Sequence, residues 1–278
     1  MQIVDSHLHI WSQDEDRFPP SPDAAGPTWD ASIETLTRYM DRHGVELAVA
    51  INPRLYLQDH RYLLDAAGRF PDRVIPVGKV HADDPAAVGL LHELADAHGI
   101  RGIRLVWYDG PTSTWPADPA VEPVWRACAD LGITIGFLTN PDELPAIGEA
   151  ASKHRQVTVV IDHWGGLRAE EGPEFSRFAA VTALASLPNV YLKATCFQRM
   201  SLAGSPYLDV HPLLRRALDA FGRERVMWGT DFGSGRVREQ QYDEELTAIT
   251  GHLDWLAPSD REWLLRRSAL QAWQKTEG

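Results

Sequence analysis

The sequence has little cysteine, no long apolar run and no excess of positive charge, and each absence argues against a class of protein. Two cysteines, Cys128 and Cys196, occur among 278 residues, far apart and without metal-ligand spacing. We therefore expect a reduced compartment and no disulfide scaffold. No run of about 18 apolar residues occurs, so the sequence predicts no membrane-spanning helix. The net charge of -12 argues against nucleic acid and anionic membrane surfaces as partners.

Two further absences concern location and fold. The first residues lack the basic segment and the apolar segment of an export signal, so we expect a cytoplasmic protein. A glycine-rich phosphate-binding turn is missing after the early apolar runs, which argues against a doubly wound open sheet. The expected partner is a small-molecule substrate, and a homo-oligomer is left open.

Short apolar runs alternate with helical patterns along the whole chain. The runs predicted as strands cover residues 2–9, 47–52, 74–80, 100–107, 133–139, 157–163, 190–196 and 226–231. Eight strands alternating with helices within about 250 residues are the pattern of an α/β protein of the (β/α)8 TIM-barrel class. We therefore expect one barrel domain over residues 1–278.

A long polar stretch, residues 12–31, follows the first predicted strand and is rich in Pro, Asp and Gly. Loops of this length are uncommon within compact domains and are usually functional. Barrel enzymes carry their chemistry at the C-terminal ends of the strands. We therefore expect this stretch to lie as a lid over the mouth of the active site.

The most informative motif is the His-x-His formed by His7 and His9 at the end of the first predicted strand. Residues two apart on a strand point to the same face, so both imidazoles should project together. Two adjacent imidazoles are costly to bury unless a metal ion or an anionic substrate engages their nitrogens. The motif therefore marks a candidate site.

Two other predicted strands end in residues of the same chemistry. The sixth ends in Asp-His-Trp-Gly-Gly, which contains His163, and the eighth in Trp-Gly-Thr-Asp-Phe, which contains Asp231. In a closed barrel the eighth strand lies beside the first, so Asp231 should lie beside His7 and His9. Three imidazoles and one carboxylate around a cavity can bind a divalent cation or activate water. We expect these four side chains to converge within about 8 Å of one point.

Together these motifs resemble the amidohydrolase superfamily. More narrowly, they resemble its amidohydrolase-2 branch, which includes sugar-lactone hydrolases, a pyrone-dicarboxylate lactonase and related decarboxylases. The resemblance covers essentially the whole chain, with the motifs in the family's order. It implies a hydrolase in which Asp231 takes a proton from the attacking water. It also implies that His7, His9 and His163 polarise the carbonyl, either directly or through a metal.

One departure from the family bears on the metal. Many metal-dependent members carry a further histidine after the fifth strand, where this chain has Thr139 and Asn140. No strand end carries an obvious bridging lysine either, so the two-metal arrangement is not expected. A single zinc or manganese ion held by His7, His9 and Asp231 remains open. A metal-free site like that of the pyrone-dicarboxylate lactonase is the other alternative.

Further polar residues near strand ends are candidates for binding the substrate. Arg104, inside the fourth strand, can make a bidentate contact with a carboxylate, with an ion pair to a neighbouring acid as the alternative. Lys193, inside the seventh strand, is a candidate for an inward-facing charge. Trp164 can stack on a ring, although packing is the commoner role of tryptophan. The remaining candidates follow the second and fifth strands: Asn52, Arg54, Thr139 and Asn140.

The sequence thus predicts a hydrolase that opens a small lactone, a cyclic ester of a sugar acid or of an aromatic-catabolism intermediate. A metal-dependent decarboxylase of the same branch, which would use the same four residues to stabilise a carbanion, is the alternative reaction. A catalytically silent barrel that binds a sugar acid is the alternative from another class of protein.

Overall fold

The structure, a computed structural model, describes residues 2–22, 24, 29–108, 112–171, 174–234 and 237–273. Eight strands form one sheet, in which each strand pairs in parallel with the next along the chain. They are β1 (Ile3–Leu8), β2 (Val45–Ile51), β3 (Val74–His81), β4 (Gly102–Val106), β5 (Thr134–Phe137), β6 (Val159–Ile161), β7 (Val190–Thr195) and β8 (Val226–Gly229). Each predicted strand overlaps one of these.

Helices follow the strands and pack around the barrel. Ser32 begins the first helix by accepting a hydrogen bond from the Thr35 N–H, and Gly44 ends it in the left-handed conformation. Within the described ranges, no helix combines the length and the apolar character that a membrane span needs. The helices are α1 (Ile33–His43), α2 (Arg61–Arg69), α3 (Ala87–His92), α4 (Glu122–Leu131), α5 (Leu144–Lys153), α6 (His163–Gly166), α7 (Phe178–Ala183), α8 (Phe197–Met200), α9 (His211–Phe221), α10 (Glu239–Gly251), α11 (Pro258–Glu262) and α12 (Ser268–Trp273).

The barrel closes where the end of β1 meets the segment after β8. The Asp231 N–H donates to the His7 carbonyl at 2.8 Å, and the His9 N–H donates to the Phe232 carbonyl at 2.7 Å. These bonds hold the C-terminal ends of β1 and β8 side by side, as a closed barrel requires. The expectation of a single-domain (β/α)8 barrel is confirmed.

Trp273, the last residue of α12, fills the floor of the barrel. The Thr134 hydroxyl at the start of β5 donates to the Ala272 carbonyl at 2.7 Å and so holds α12 against the sheet. A Cβ atom on Gly102, the first residue of β4, would lie 2.6 Å from the Trp273 ring. Lys193 Nζ lies over the same ring, 4.8 Å from its centroid. The floor therefore supports a charged side chain of the barrel interior.

We expect Gly102→Ala to lower the free energy of unfolding by about 1–3 kcal/mol, the usual cost of overpacking a core. The added methyl group would collide with the Trp273 ring, which is only 2% exposed. Urea unfolding followed by tryptophan fluorescence measures the loss.

Gly89→Ala in α3 is the matched control, because a Cβ atom there meets nothing within 4 Å. It should be neutral or slightly stabilising, since alanine is the better helix former. Equal stability of the two variants would contradict the packing of Trp273 described above.

Candidate active site

Four side chains from three strand ends lie around one point. The Nε2 atoms of His7, His9 and His163 are 3.6, 3.7 and 3.8 Å from the same atom, Oδ1 of Asp231. This oxygen is buried and has no hydrogen-bond partner among the described residues. The structure thus brings together the histidines and the carboxylate that the sequence motifs single out.

Left-handed backbone turns direct two of these side chains into the mouth of the barrel. His163, after β6, has φ 49°, and Asp231, after β8, has φ 62°. This conformation is uncommon for residues other than glycine, and holding it costs on the order of 1–3 kcal/mol. The turn after Asp231 also needs a glycine, because a Cβ atom on Gly233 would lie 1.9 Å from the His9 carbonyl oxygen. Strain of this kind concentrates at functional sites.

The imidazoles of His9 and His163 are neutral. Burial, the largest effect, holds the pKa of His9 well below its ordinary value and lowers the pKa of His163 to about 3. His9 Nδ1 lies 2.8 Å from the Ile51 carbonyl, so Nδ1 carries the proton and Nε2 presents a lone pair. His163 Nδ1 lies 2.8 Å from the Thr195 hydroxyl, which can donate or accept. His9 is therefore an acceptor towards the site, whereas His163 can act as a donor.

A second buried carboxylate, Asp162, holds His7 in place. Its Oδ2 accepts hydrogen bonds from Arg104 at 2.8 and 3.0 Å, and its Oδ1 lies 3.1 Å from Lys193 Nζ. His7 Nδ1 is 3.3 Å from the same Oδ1, and His7 Nε2 is 2.9 Å from Arg104 Nη2. Burial by itself would raise the pKa of Asp162, but Lys193 and Arg104 lower it more strongly. The resulting pKa lies well below the ordinary value. His7 Nε2 therefore accepts from Arg104, while its Nδ1 faces both Asp162 and Lys193 Nζ, the latter at 3.0 Å.

Asp231 has the properties of a general base. Burial raises its pKa from 3.8 to about 7, and Arg199, whose Nη1 is 3.6 Å from Oδ2, opposes that rise. A carboxylate with a pKa near neutrality is a stronger base than an ordinary one and is still partly ionised at neutral pH. The Cys196 Sγ, 3.8 Å from Oδ2, also borders the carboxylate.

Two acceptors face each other at the centre of the site. His9 Nε2 and Asp231 Oδ1 lie 3.7 Å apart, and a cation or a proton donor between them would satisfy both. His7, His163 and Asp231 offer donor atoms that all lie within 4.8 Å of one another, so they can hold a metal ion. This group differs by one residue from the metal ligands expected from the sequence, which are His7, His9 and Asp231: it contains His163 in place of His9.

The cluster opens into a cavity of about 750 Å³, a volume suited to a small molecule. Four basic side chains share its lining with Asp231, so the cavity is positively charged in a chain whose net charge is -12. Aromatic rings supply flat apolar walls. The basic residues are Arg54, Lys79, Arg104 and Arg199, and the aromatic residues are Trp11, Trp29, Trp107 and Tyr108.

Two of the six expected substrate-binding residues, Arg54 and Arg104, line this cavity. Arg104 also makes the ion pair with Asp162 that the sequence left as its alternative role. Three others line a neighbouring cavity of about 470 Å³ instead: Thr139, Asn140 and Trp164. The two cavities adjoin, because His163 and Arg199 line both of them.

Asn52 and Trp164 have structural partners that account for their positions. The buried Asn52 amide donates to the Leu57 carbonyl at 2.9 Å and so closes the turn after β2. Trp164 is fully buried, and its Nε1 donates to the Thr195 carbonyl at 2.7 Å. A ring held in this way packs in the core and does not stack on a ligand in the main cavity.

Sequence reasoning missed several residues of the site: Lys79, Asp162, Arg199 and Trp29. Lys79 carried a signal, because it is a charged residue within the otherwise apolar strand β3. Asp162 lies inside the Asp-His-Trp-Gly-Gly motif, in which the sequence singles out only His163 and Trp164. Arg199 and Trp29 lie outside the strands, where no alternation of apolar residues indicates which side chains face inward.

The fold and the site together define an enzyme of the barrel class, with three imidazoles and a carboxylate at the C-terminal ends of its strands. Known proteins agree. The chain is 28% identical over 235 residues to an L-fucono-1,5-lactonase of Burkholderia ambifaria, covering 84% of this chain and 81% of that protein. It is 28% identical over 267 residues to a 4-sulfomuconolactone hydrolase of Hydrogenophaga intermedia, covering 93% and 83%.

A family model and a solved structure cover almost the whole chain. A zinc-bound amidohydrolase of Burkholderia multivorans superposes with a TM-score of 0.75 at 22% identity, covering 98% of this chain and 99% of that one, which shows a common fold. The model of the amidohydrolase family matches residues 4–274. The chain belongs to the amidohydrolase family.

We expect kcat/KM for a lactone substrate to fall about tenfold per pH unit below about pH 7, because protonation removes the base. This follows from the Asp231 pKa of about 7. Arg199 lowers the pKa of Asp231 in the unaltered protein. Its removal in Arg199→Met should therefore raise that pKa and move the acid limb to higher pH. Initial rates measured from acidic to mildly alkaline pH check both statements. If the acid limb lies near the ordinary aspartate pKa, or does not move in Arg199→Met, then a residue other than Asp231 is the base.

Proposed function

We propose that this protein opens a small lactone ring by water attack and releases a hydroxy acid. The observation that carries the proposal is the buried Asp231 carboxylate, whose pKa of about 7 suits a base, among three imidazoles at the bottom of a positively charged cavity. The two relatives with 28% identity, named as a fuconolactonase and a sulfomuconolactone hydrolase, support lactones as the substrate class.

In the proposed reaction Asp231 takes a proton from water as the water oxygen attacks the carbonyl carbon. Negative charge then develops on the carbonyl oxygen, where fixed donors are worth most. His163 Nε2 can donate there when its Nδ1 accepts from the Thr195 hydroxyl. The ring C–O bond then breaks, and the proton on Asp231 passes to the leaving oxygen.

His7 and His9 have other roles in this proposal. Their Nε2 atoms are acceptors, so in a reaction without an ion neither donates to the substrate carbonyl. His9 can orient the attacking water by accepting its second hydrogen. His7, held by Asp162 and Arg104, fixes one wall of the pocket around Asp231.

The donor set also fits one divalent cation, and we propose zinc or manganese. Neutral imidazoles and a carboxylate are suitable ligands for both, and His7, His163 and Asp231 would supply them. Arg104 Nη2 already uses the lone pair of His7 Nε2, so an ion must displace it and should bind weakly. A bound ion would polarise a carbonyl or lower the pKa of water. The zinc in the Burkholderia multivorans amidohydrolase supports this choice.

We also propose that residues 12–31 cover the mouth of the site. Trp29 lines the cavity, and its carbonyl accepts from Trp11 Nε1 at 3.0 Å, which ties the stretch to the end of β1. Residues 23 and 25–28 lie outside the described residues. The proposed compartment is the cytoplasm, which the free thiols of Cys128 and Cys196 support. The proposed partner is a small-molecule substrate.

A panel of sugar-acid lactones and unsaturated five-membered lactones tests the function. Lactone opening releases a titratable proton at constant pH, which a pH-stat records. Carbon dioxide release in a parallel assay would instead support the decarboxylase. Tight binding of a sugar acid with neither product would support the silent barrel.

We expect Asp231→Asn to lower kcat about 10²- to 10⁴-fold, the usual loss when a general base is removed. The amide keeps the size of the side chain and cannot accept the proton, so the fold should survive, as circular dichroism can verify. Asp254→Asn, with a side chain 87% exposed, is the matched control and should leave kcat unchanged. Near-normal kcat in Asp231→Asn would refute its role as base.

Turnover that depends on the ion should be lost on exhaustive chelation and restored by added Zn²⁺ or Mn²⁺. Metal content measured by mass spectrometry alongside the rates shows which ion is retained. Arg104→Met should bind zinc more tightly than the unaltered protein, because it frees the lone pair of His7. Full activity in protein shown to be metal-free would mean that the residues act without an ion.

A further inference from the structure

One side of the main cavity carries positive charge for which no contact with an acid is recorded among the described residues. Lys79 of β3 lines the cavity and is 6% exposed. Among the described residues, no hydrogen bond or ion pair is recorded for its Nζ. Lysine is rarely buried so fully unless it is paired, because desolvation disfavours its charged form. An unpaired ammonium facing a cavity therefore indicates a ligand that supplies the missing charge.

The charged groups recorded as acting on Lys79 are both positive. Arg104 lies beside it in the register of β3 and β4, and Arg54 follows β2. Two histidines, His9 at the end of β1 and His81 on the same strand, line the cavity with Lys79, whereas His60 accepts from the Lys79 backbone N–H at 2.9 Å. Asp83 and Asp84 act on His81, and neither is among the groups that shift the pKa of Lys79. Burial first, then Arg104 and Arg54, lower the pKa of Lys79 to about 7.

Lys193 shows what a partnered buried lysine in this barrel is like. Its Nζ lies 3.1 Å from Asp162 Oδ1, and the nearby carboxylate counteracts the lowering of its pKa by burial. Arg104 donates two hydrogen bonds to the same carboxylate, which compensates the charge of its guanidinium group. Lys79 and Arg54 are the cavity cations for which no carboxylate contact is recorded within the described residues. They lie on the wall formed by β2 and β3, away from the β8 end that carries Asp231.

We propose that Lys79, assisted by Arg54, binds an anionic substituent of the substrate, which is therefore a lactone bearing a carboxylate or a sulfonate outside the ester. This inference rests on the proposed lactone hydrolysis and narrows it to charged lactones. The ester lies near Asp231 and His163, and the substituent reaches the opposite wall. A neutral sugar lactone would leave the ammonium of Lys79 without a partner.

The test uses two flat lactam analogues that the enzyme is not expected to open: 6-oxo-1,6-dihydropyridine-3-carboxylate and its carboxamide. They share one ring and differ in charge. Isothermal titration calorimetry should show the carboxylate binding at least about tenfold more tightly than the carboxamide, as one charge-assisted contact provides. Lys79→Met should weaken carboxylate binding about 10- to 100-fold and leave carboxamide binding unchanged. Lys79→Arg should retain most of the affinity.

A second readout separates charge pairing from a structural role. A bound anion favours the protonated ammonium, so carboxylate binding at about pH 8, above the Lys79 pKa of about 7, should take up protons. Titrations in two buffers of different ionisation enthalpy measure this uptake. The uptake should disappear in Lys79→Met. A purely structural lysine would show none in either protein.

Arg168→Met is the matched control, because Arg168 is a cation lining the neighbouring cavity. It should change none of these values. Inorganic phosphate, titrated in parallel, should bind more weakly than the ring carboxylate; equal affinity would indicate a simple anion site and overturn the proposal. Equal binding of both analogues, no carboxylate binding, or unchanged affinity in Lys79→Met would also overturn it. If no lactone is opened yet the carboxylate binds through Lys79, the lactonase proposal fails and the anion site stands.

Discussion

The site depends on one buried carboxylate. Asp162 accepts two hydrogen bonds from Arg104, lies 3.1 Å from Lys193, and is close enough to His7 to orient its ring. Without it, Arg104 and Lys193 would lose the carboxylate that they contact, and breaking a buried pair in this way typically costs about 3–5 kcal/mol. Trp273 packs below this cluster, and its ring lies against Lys193, the cation that contacts Asp162. The carboxylate thus links the floor of the barrel to the histidine at its mouth.

Burial has opposite consequences for the acids and the bases of this site. Desolvation raises the pKa of Asp231 to about 7, which makes it a stronger base, and lowers the pKa of His163 to about 3, which keeps it neutral. The same effect lowers the pKa of Lys79 to about 7. One physical cause therefore yields a base, a neutral hydrogen-bonding imidazole and a lysine suited to an anion. Their placement in one cavity explains why an acidic protein can offer a positively charged pocket.

Much of the fold and the centre of the site could be predicted from the sequence. Apolar periodicity indicates eight strands, and barrel closure then brings residues at the first, sixth and eighth strand ends together, as it does His7, His163 and Asp231. The direction of residues just beyond a strand is harder to predict, because it depends on the turn that follows. Trp164, with φ 57°, turns into the core, and the Asn52 amide closes a turn. No local pattern distinguishes these outcomes from side chains that face the substrate.

The sequence by itself determined the number and order of the strands, the barrel class and the residue types at the strand ends. These features follow from hydrophobic alternation and short motifs, which are local. The tertiary structure alone decided which charges are paired. Arg104 meets Asp162 across 58 residues of sequence, and Lys79 meets no carboxylate among the described residues, although both lysine and arginine lie within strands. Ion pairing and desolvation depend on distances between strands, and only the folded barrel sets those distances.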